Sequence, residues 1–400
     1  MKFPDEILVT ITKLVYNPHS PNSSYKDIRN LLLVNKQFSR VAQEILFELL
    51  RICATRGVDK MMLYWEASYG KKVDQLVFHK VKHISLYNSN KTITPKISQN
   101  IFSLMAVTPN LQMVSLYAIH FDEHFIPWAV SLQQPVHLSI IRCTFSPLIL
   151  THQSYQVASL TLQDNDDQDI LFPNCCFPAL QQVDLTFSTA WNSITLPNSV
   201  RVLTIRGSIR SGSSTRIILM GIRSCEGLDS LIFLGEFIAP SGSKPLLQGP
   251  IQSVTAPPTF VQYFAGDAGV RLLDIAQSRS QWSFIMHMPS FVNIQELKFR
   301  IKGDYNAEGE VEDMLEKCPT ATHVTIIYDY SENLVQGVLA AFVYGQSITH
   351  LAIFEEGQQW LRVGPVEILG LKSYVEDKKS ELNLEKLRLN GSLIWSRTRN

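Results

Sequence analysis

The sequence predicts an α/β solenoid preceded by a short helical hairpin, and three observations carry that prediction. A six-residue apolar pattern recurs from Val81 onward, segments with helical spacing lie between its copies, and the first fifty residues follow helical spacing alone. One apolar strand face per unit cannot be buried within its own unit, so neighbouring units must stack.

The recurring pattern is apolar, two residues, apolar, one residue, apolar. It reads Val81-x-x-Ile84-x-Leu86, Leu111-x-x-Val114-x-Leu116, Val157-x-x-Leu160-x-Leu162 and Leu180-x-x-Val183-x-Leu185. It returns around Leu203, Leu231, Leu273, Leu297, Val324, Leu351 and Leu387, with weaker copies at Leu138 and Val254. These middle anchors recur at a mean spacing of about 25 residues, inside the window of leucine-rich repeats. Ala307–Lys317 is the clearest intervening helix, acidic at its start, basic at its end and stopped by Cys318-Pro319. The spacing is uneven, so extra loops such as Pro240–Pro258 are expected. Gly207–Ser214 carries no Gly-Lys-Ser/Thr and is not a phosphate loop.

At the start of the chain, Phe3-Pro4-Asp5-Glu6 has the form of a helix N-terminus. Proline is tolerated there and the acids complement the helix dipole. Ile7, Leu8, Ile11, Leu14 and Val15 then follow helical spacing. Turn residues at Asn17–Ser24 interrupt it, and a second helix is expected from about Tyr25 to Leu50. Fifty residues cannot bury so much apolar surface alone, so the hairpin must dock on the rest of the chain or on a partner.

Phe3-Pro4-Asp5-Glu6-Ile7-Leu8, Ile11, Leu14 and Leu31-Leu32-Leu33-Val34-Asn35-Lys36-Gln37-Phe38 together resemble the F-box motif. An F-box followed by a degenerate, irregular leucine-rich-repeat horseshoe resembles the large fungal F-box families. The resemblance implies an F-box domain over 1–50, a helical linker or cap over 51–80 and a substrate-binding repeat domain over 81–400. It implies a Skp adaptor bound through Pro4, Ile7, Leu8, Ile11, Leu32, Val34 and Phe38, and through that adaptor a cullin–RING ubiquitin ligase. Such a subunit links a protein substrate to the ligase and is not itself an enzyme. A stand-alone leucine-rich-repeat interaction scaffold is the alternative.

Composition agrees with a protein partner. Lys plus Arg and Asp plus Glu number 36 each, so the chain lacks the basic field that nucleic-acid binding needs. No run approaches the roughly 18 apolar residues of a membrane span, and the first residues do not read as a signal peptide. The six cysteines show no C-x-x-C spacing, and Cys175 and Cys176 are adjacent, so a reducing compartment, cytoplasmic or nuclear, is expected.

No cofactor or metal is expected. His120-Phe121-Asp122-Glu123-His124 matches H-x-x-E-H, but it directly follows a repeat strand, and Pro127 comes too early for a long zinc-binding helix. His79 and His83 read as surface or edge residues, and Asp164–Asp169 as a solvated turn. Strand side chains alternate faces, so residues between and just after the anchors should point outward. Thr204 and Arg206 belong to that set, as do Lys298, Arg300, Ile327 and Phe354, the expected contacts of a substrate segment that combines acidic groups with an apolar anchor.

Overall fold

The computed structural model describes residues 5–15, 30–31, 33–53, 81–87, 108–118, 120–121, 134–145, 156–163, 170–171, 177–186, 194–209, 212–237, 251–264, 269–275, 290–301, 307–328, 339, 341–355 and 365–397. The chain divides into two compact units, residues 1–168 with 172–183, and residues 169–171 with 184–400. Each has the α/β character expected of a solenoid, with a mostly parallel, open sheet accompanied by helices.

In the first unit, helices α1 (Asp5–Val15) and α2 (Lys36–Glu48) pack together. Leu8, Val41 and Ala42 form their small core, with Val9, Leu31 and Phe38 against it. The second helix is shorter than its apolar pattern suggested. Turn hydrogen bonds run from Leu33 N–H to Asn30 O and from Val34 N–H to Leu31 O. Asn35 then caps α2, its Oδ1 accepting the Gln37 and Phe38 N–H groups at 2.9 Å each.

The chain passes from α2 directly into β1 (Leu49–Cys53), where continuation of the helix to Leu50 was expected. Phe47-x-x-Leu50-x-Ile52 is an unrecognised copy of the apolar pattern, and it pairs in parallel with β2 (His83–Tyr87), placing Leu50 opposite Ile84. Strands β3 (Met113–Tyr117), β5 (Val136–Ile141) and β7 (Val157–Gln163) continue the ladder. Ile84, Val114, Leu138 and Leu160 stand in one row across it. A second, two-stranded ladder joins β4 (His120–Phe121) to β6 (Thr144–Phe145).

The division between the units falls within β9 (Gln182–Thr186). In the second unit β8 (Ile170–Leu171) pairs with β10 (Ile194–Thr195). Its main ladder comprises β11 (Val202–Arg206), β12 (Ser230–Leu234), β13 (Ser253–Ala256), β14 (Leu272–Ile275), β15 (Glu296–Ile301), β16 (His323–Tyr328), β17 (His350–Glu355) and β18 (Lys386–Leu389). Leu203, Leu231, Val254, Leu273, Leu297, Val324, Leu351 and Leu387 form one unbroken row, each at most 1% exposed. Every middle anchor read from the sequence thus lies in a strand, the two weak copies included.

Four helices of this unit are α3 (Gly212–Arg223), α4 (Pro258–Val261), α5 (Ala307–Lys317) and α6 (Pro365–Asp377). Helix α5 has the bounds its charge pattern gave, and Cys318 N–H closes it on Met314 O and Leu315 O. None of the described helices is long and apolar enough to cross a membrane. The expected loop at Pro240–Pro258 needs correction, because β13 occupies its second half; residues 240–250 lie outside the described set. After β13, α4 and a 3-10 turn at Gln262–Phe264 bring Phe260, Tyr263 and Phe264 under the sheet, all fully buried.

Turns at the strand ends repeat as the strands do. Ala118 and Arg142 take positive φ (55° and 54°), as does Gly207 (107°). A side chain on Gly235 would collide with the Gly207 carbonyl, so this pair of adjacent turns depends on glycine. The ladder ends in a hairpin absent from the expected pattern. Asn390 (φ 43°) and Gly391 (φ 80°) form the two-residue turn between β18 and the antiparallel β19 (Ser392–Ser396).

Candidate functional site

Two surfaces, one in each unit, hold the residues singled out from the sequence. In the first unit Ile7 and Ile11 lie one turn apart on α1 at 47% and 37% exposure, and Val34, before α2, is 59% exposed. Leu33, not among the expected contacts, is more open still at 85%. Consecutive leucines cannot all face one small core, which is the signal that could have pointed to it. Leu8 is corrected: it is 0% exposed and fills the interhelical core, so it holds the helices together and presents nothing to a partner. Phe38 is half-buried beside it, while Pro4 and Leu32 lie outside the described residues. Large apolar side chains left open beside so small a core are what a protein-binding element would present.

In the second unit the anchors face inward and the alternate positions outward, as the strand period requires. Arg300, Ile327 and Phe354 fall in one outward row across β15, β16 and β17, with Phe354 37% exposed. Lys298, Thr325, Ala352 and Arg388 form the adjoining row. The four expected substrate contacts are therefore neighbours. Their charge differs from expectation, because Lys298 Nζ lies 2.7 Å from Asp274 Oδ2 on β14. Asp274 occupies the outward position between Leu273 and Ile275, so the pairing was open to reading once register was known. Arg206 likewise forms a two-pronged contact with Asp184, at 2.8 Å from Nε to Oδ1 and from Nη2 to Oδ2, and that bond holds its guanidinium above the ordinary range. Thr204, expected to point outward to solvent, is only 5% exposed and stands beside Ile232 in register.

His83 also departs from its reading as a surface or edge residue. It is 9% exposed on a strand paired on both sides, and its Nε2 is 3.1 Å from Ser115 Oγ; His79 lies outside the described residues. His120 sits in the two-residue strand β4, whereas Asp122, Glu123 and His124 lie outside the described set. Among the described residues no group of three or more His, Cys, Asp or Glu side chains is arranged to hold a metal. Cys143, Cys225 and Cys318 are buried cysteines outside any disulfide, and burial pushes the Cys318 thiol up to about 12, far from the thiolate that redox or metal chemistry needs.

A feature the sequence reading passed over lies at the start of β16 and β17. The rings of His323 and His350 stack with centroids 4.3 Å apart and planes 11° from parallel. Partial burial, His323 and Lys386 hold His350 below the ordinary histidine value of 6.5, with Arg388 acting the same way and Glu385 opposing. A depressed value favours the neutral ring in the folded chain. Its stabilising contribution is complete above pH about 6.5, the unfolded value, and is lost as pH falls through the folded value. The melting temperature should therefore drop between pH 7 and pH 5, and the drop should be smaller in His350→Gln; equal drops would refute the assignment.

No family model matches the chain, and no curated protein sequence matches it.

Proposed function

We propose that this chain is the substrate receptor of a Skp–cullin–F-box ubiquitin ligase, with an F-box at its N-terminus and a degenerate leucine-rich-repeat domain behind it. The observation that carries this reading is the exposure of Ile7, Ile11 and Val34, apolar residues at motif positions expected to meet the adaptor. The in-register ladder of anchors supports the repeat reading, since stacked units of about 25 residues are what leucine-rich repeats build. Such a receptor performs no bond chemistry. It raises the effective concentration of substrate lysines near the charged ubiquitin carrier by binding adaptor and substrate at once.

The test is affinity purification of the full chain with mass spectrometry, which should recover a Skp adaptor and cullin together with substrate. Lys298→Glu combined with Arg300→Glu should lose the substrate fraction at least about tenfold while retaining adaptor. Absence of the adaptor from the native preparation would remove the ligase reading. Unchanged substrate capture by the double variant would move the docking surface elsewhere.

A further inference from the structure

Across the starts of β15 to β18 the outward row reads Glu296, His323, His350, Lys386. Thr322 Oγ1 donates to Gln295 O at 3.3 Å and Thr349 Oγ1 donates to Thr322 O at 3.1 Å. Each hydroxyl also lies 3.0 Å from the Nδ1 of the histidine that follows it, Thr322 at His323 and Thr349 at His350. These contacts hold both rings in the stack. Lys386 stands next to His350, and Arg388 follows two residues later on the same face. Both are exposed, and neither is ion-paired among the described residues, unlike Lys298 and Arg206. Apolar surface adjoins them: Phe354 is 37% exposed, and Leu393, opposite Arg388 on β19, is 53% exposed. The acids near this corner are Glu296 beside His323 and Glu385 beside Lys386.

We propose that the outward face of β16 to β19 docks an acidic protein segment carrying an apolar side chain, and that His350, stacked on His323 beside Lys386, tightens this docking as it takes up a proton. The inference rests on the receptor reading only for its biological setting. It adds Lys386 and Arg388 to the acid-recognising charge of Lys298 and Arg300, where Asp274 already pairs with Lys298. A proton on His350 meets the His323 ring at 4.3 Å and the cations of Lys386 and Arg388, so its protonation is unfavourable in the free chain. A bound carboxylate relieves that repulsion, and by linkage the proton strengthens binding as much as the bound segment strengthens protonation. Acid recognition here should follow histidine protonation, with Phe354 and Leu393 receiving the apolar side chain.

The experiment uses the full chain and two fluorescein-labelled peptides, one alternating Glu with a central Phe and its Gln counterpart. Glutamate stays ionised from pH 8.0 to 6.0, so any pH dependence belongs to the protein. Fluorescence anisotropy should show the Glu peptide binding on the order of fivefold tighter at pH 6.0 than at pH 7.5, with the Gln peptide much weaker at both. His323→Gln with His350→Gln should remove the pH dependence and leave the pH 7.5 affinity. Lys386→Ser with Arg388→Ser, both at exposed positions, should abolish binding throughout. Equal binding of the two peptides, or pH dependence that survives the double histidine variant, would overturn the proposal. Adaptor recovery is read separately, through the N-terminal helices, so failure here is distinguishable from failure of the receptor reading.

Discussion

Ile7→Asp is expected to weaken adaptor capture by roughly thirtyfold or more, because an aliphatic side chain buried at an interface contributes about 1.5–3 kcal/mol and a buried carboxylate costs further. The free chain should tolerate the change. Ile7 is already 47% exposed on α1, so an aspartate there meets water and not the interhelical core. Leu8→Asp is the instructive contrast. Leu8 is fully buried against Val41 and Ala42, and a carboxylate there should unpack α1 from α2 and lose adaptor binding through lost structure. Recovery of adaptor with the purified chain, together with circular dichroism, separates the two variants: native spectrum without adaptor for Ile7→Asp, and reduced helicity for Leu8→Asp. Undiminished adaptor recovery from Ile7→Asp, or from a chain lacking residues 1–47, would refute the proposed role of these helices.

What could be read from the sequence follows from where the physics is periodic. The anchors repeat because each must fill the same place in a stacked core, so Leu203 through Leu387 were recognisable before their register was known. Helix α5 was legible for the same reason, its charges and Cys318-Pro319 marking both ends. The start of β1 was hidden because Phe47-x-x-Leu50-x-Ile52 continues an apolar run that also fits a helix, and short apolar runs do not distinguish the two. The end hairpin had a visible signal, Asn390-Gly391 between the stretches Leu387–Leu389 and Leu393–Trp395, that the repeat pattern overshadowed. The site was less legible than the fold. Ion pairs such as Asp274–Lys298, and the stacking of His323 on His350, join residues from different strands, and only strand register brings them together.

The aromatic group behind β13 shows the same limit and carries the largest stability prediction. Phe260 follows the stretch expected to be a loop, yet it stacks on Phe233 at 5.0 Å and meets Phe237 edge-on at 4.7 Å. Tyr263 and Phe264 complete the group at 5.9 and 5.6 Å, and all five rings are at most 1% exposed. Helix α4 and the turn after it owe their position to these contacts, since a four-residue helix has no stability of its own. Phe260→Ala should cost about 3–5 kcal/mol, as the transfer term and the cavity left among rigid rings add together. In a unit of this size that corresponds to a fall in melting temperature on the order of 10 °C. Leu393→Ala, at a half-exposed position on β19, should change stability by less than about 0.5 kcal/mol and serves as the control. Thermal denaturation of the two variants beside the native chain decides the matter: a Phe260→Ala protein melting with the Leu393→Ala control would mean that these rings do not hold α4 to the sheet.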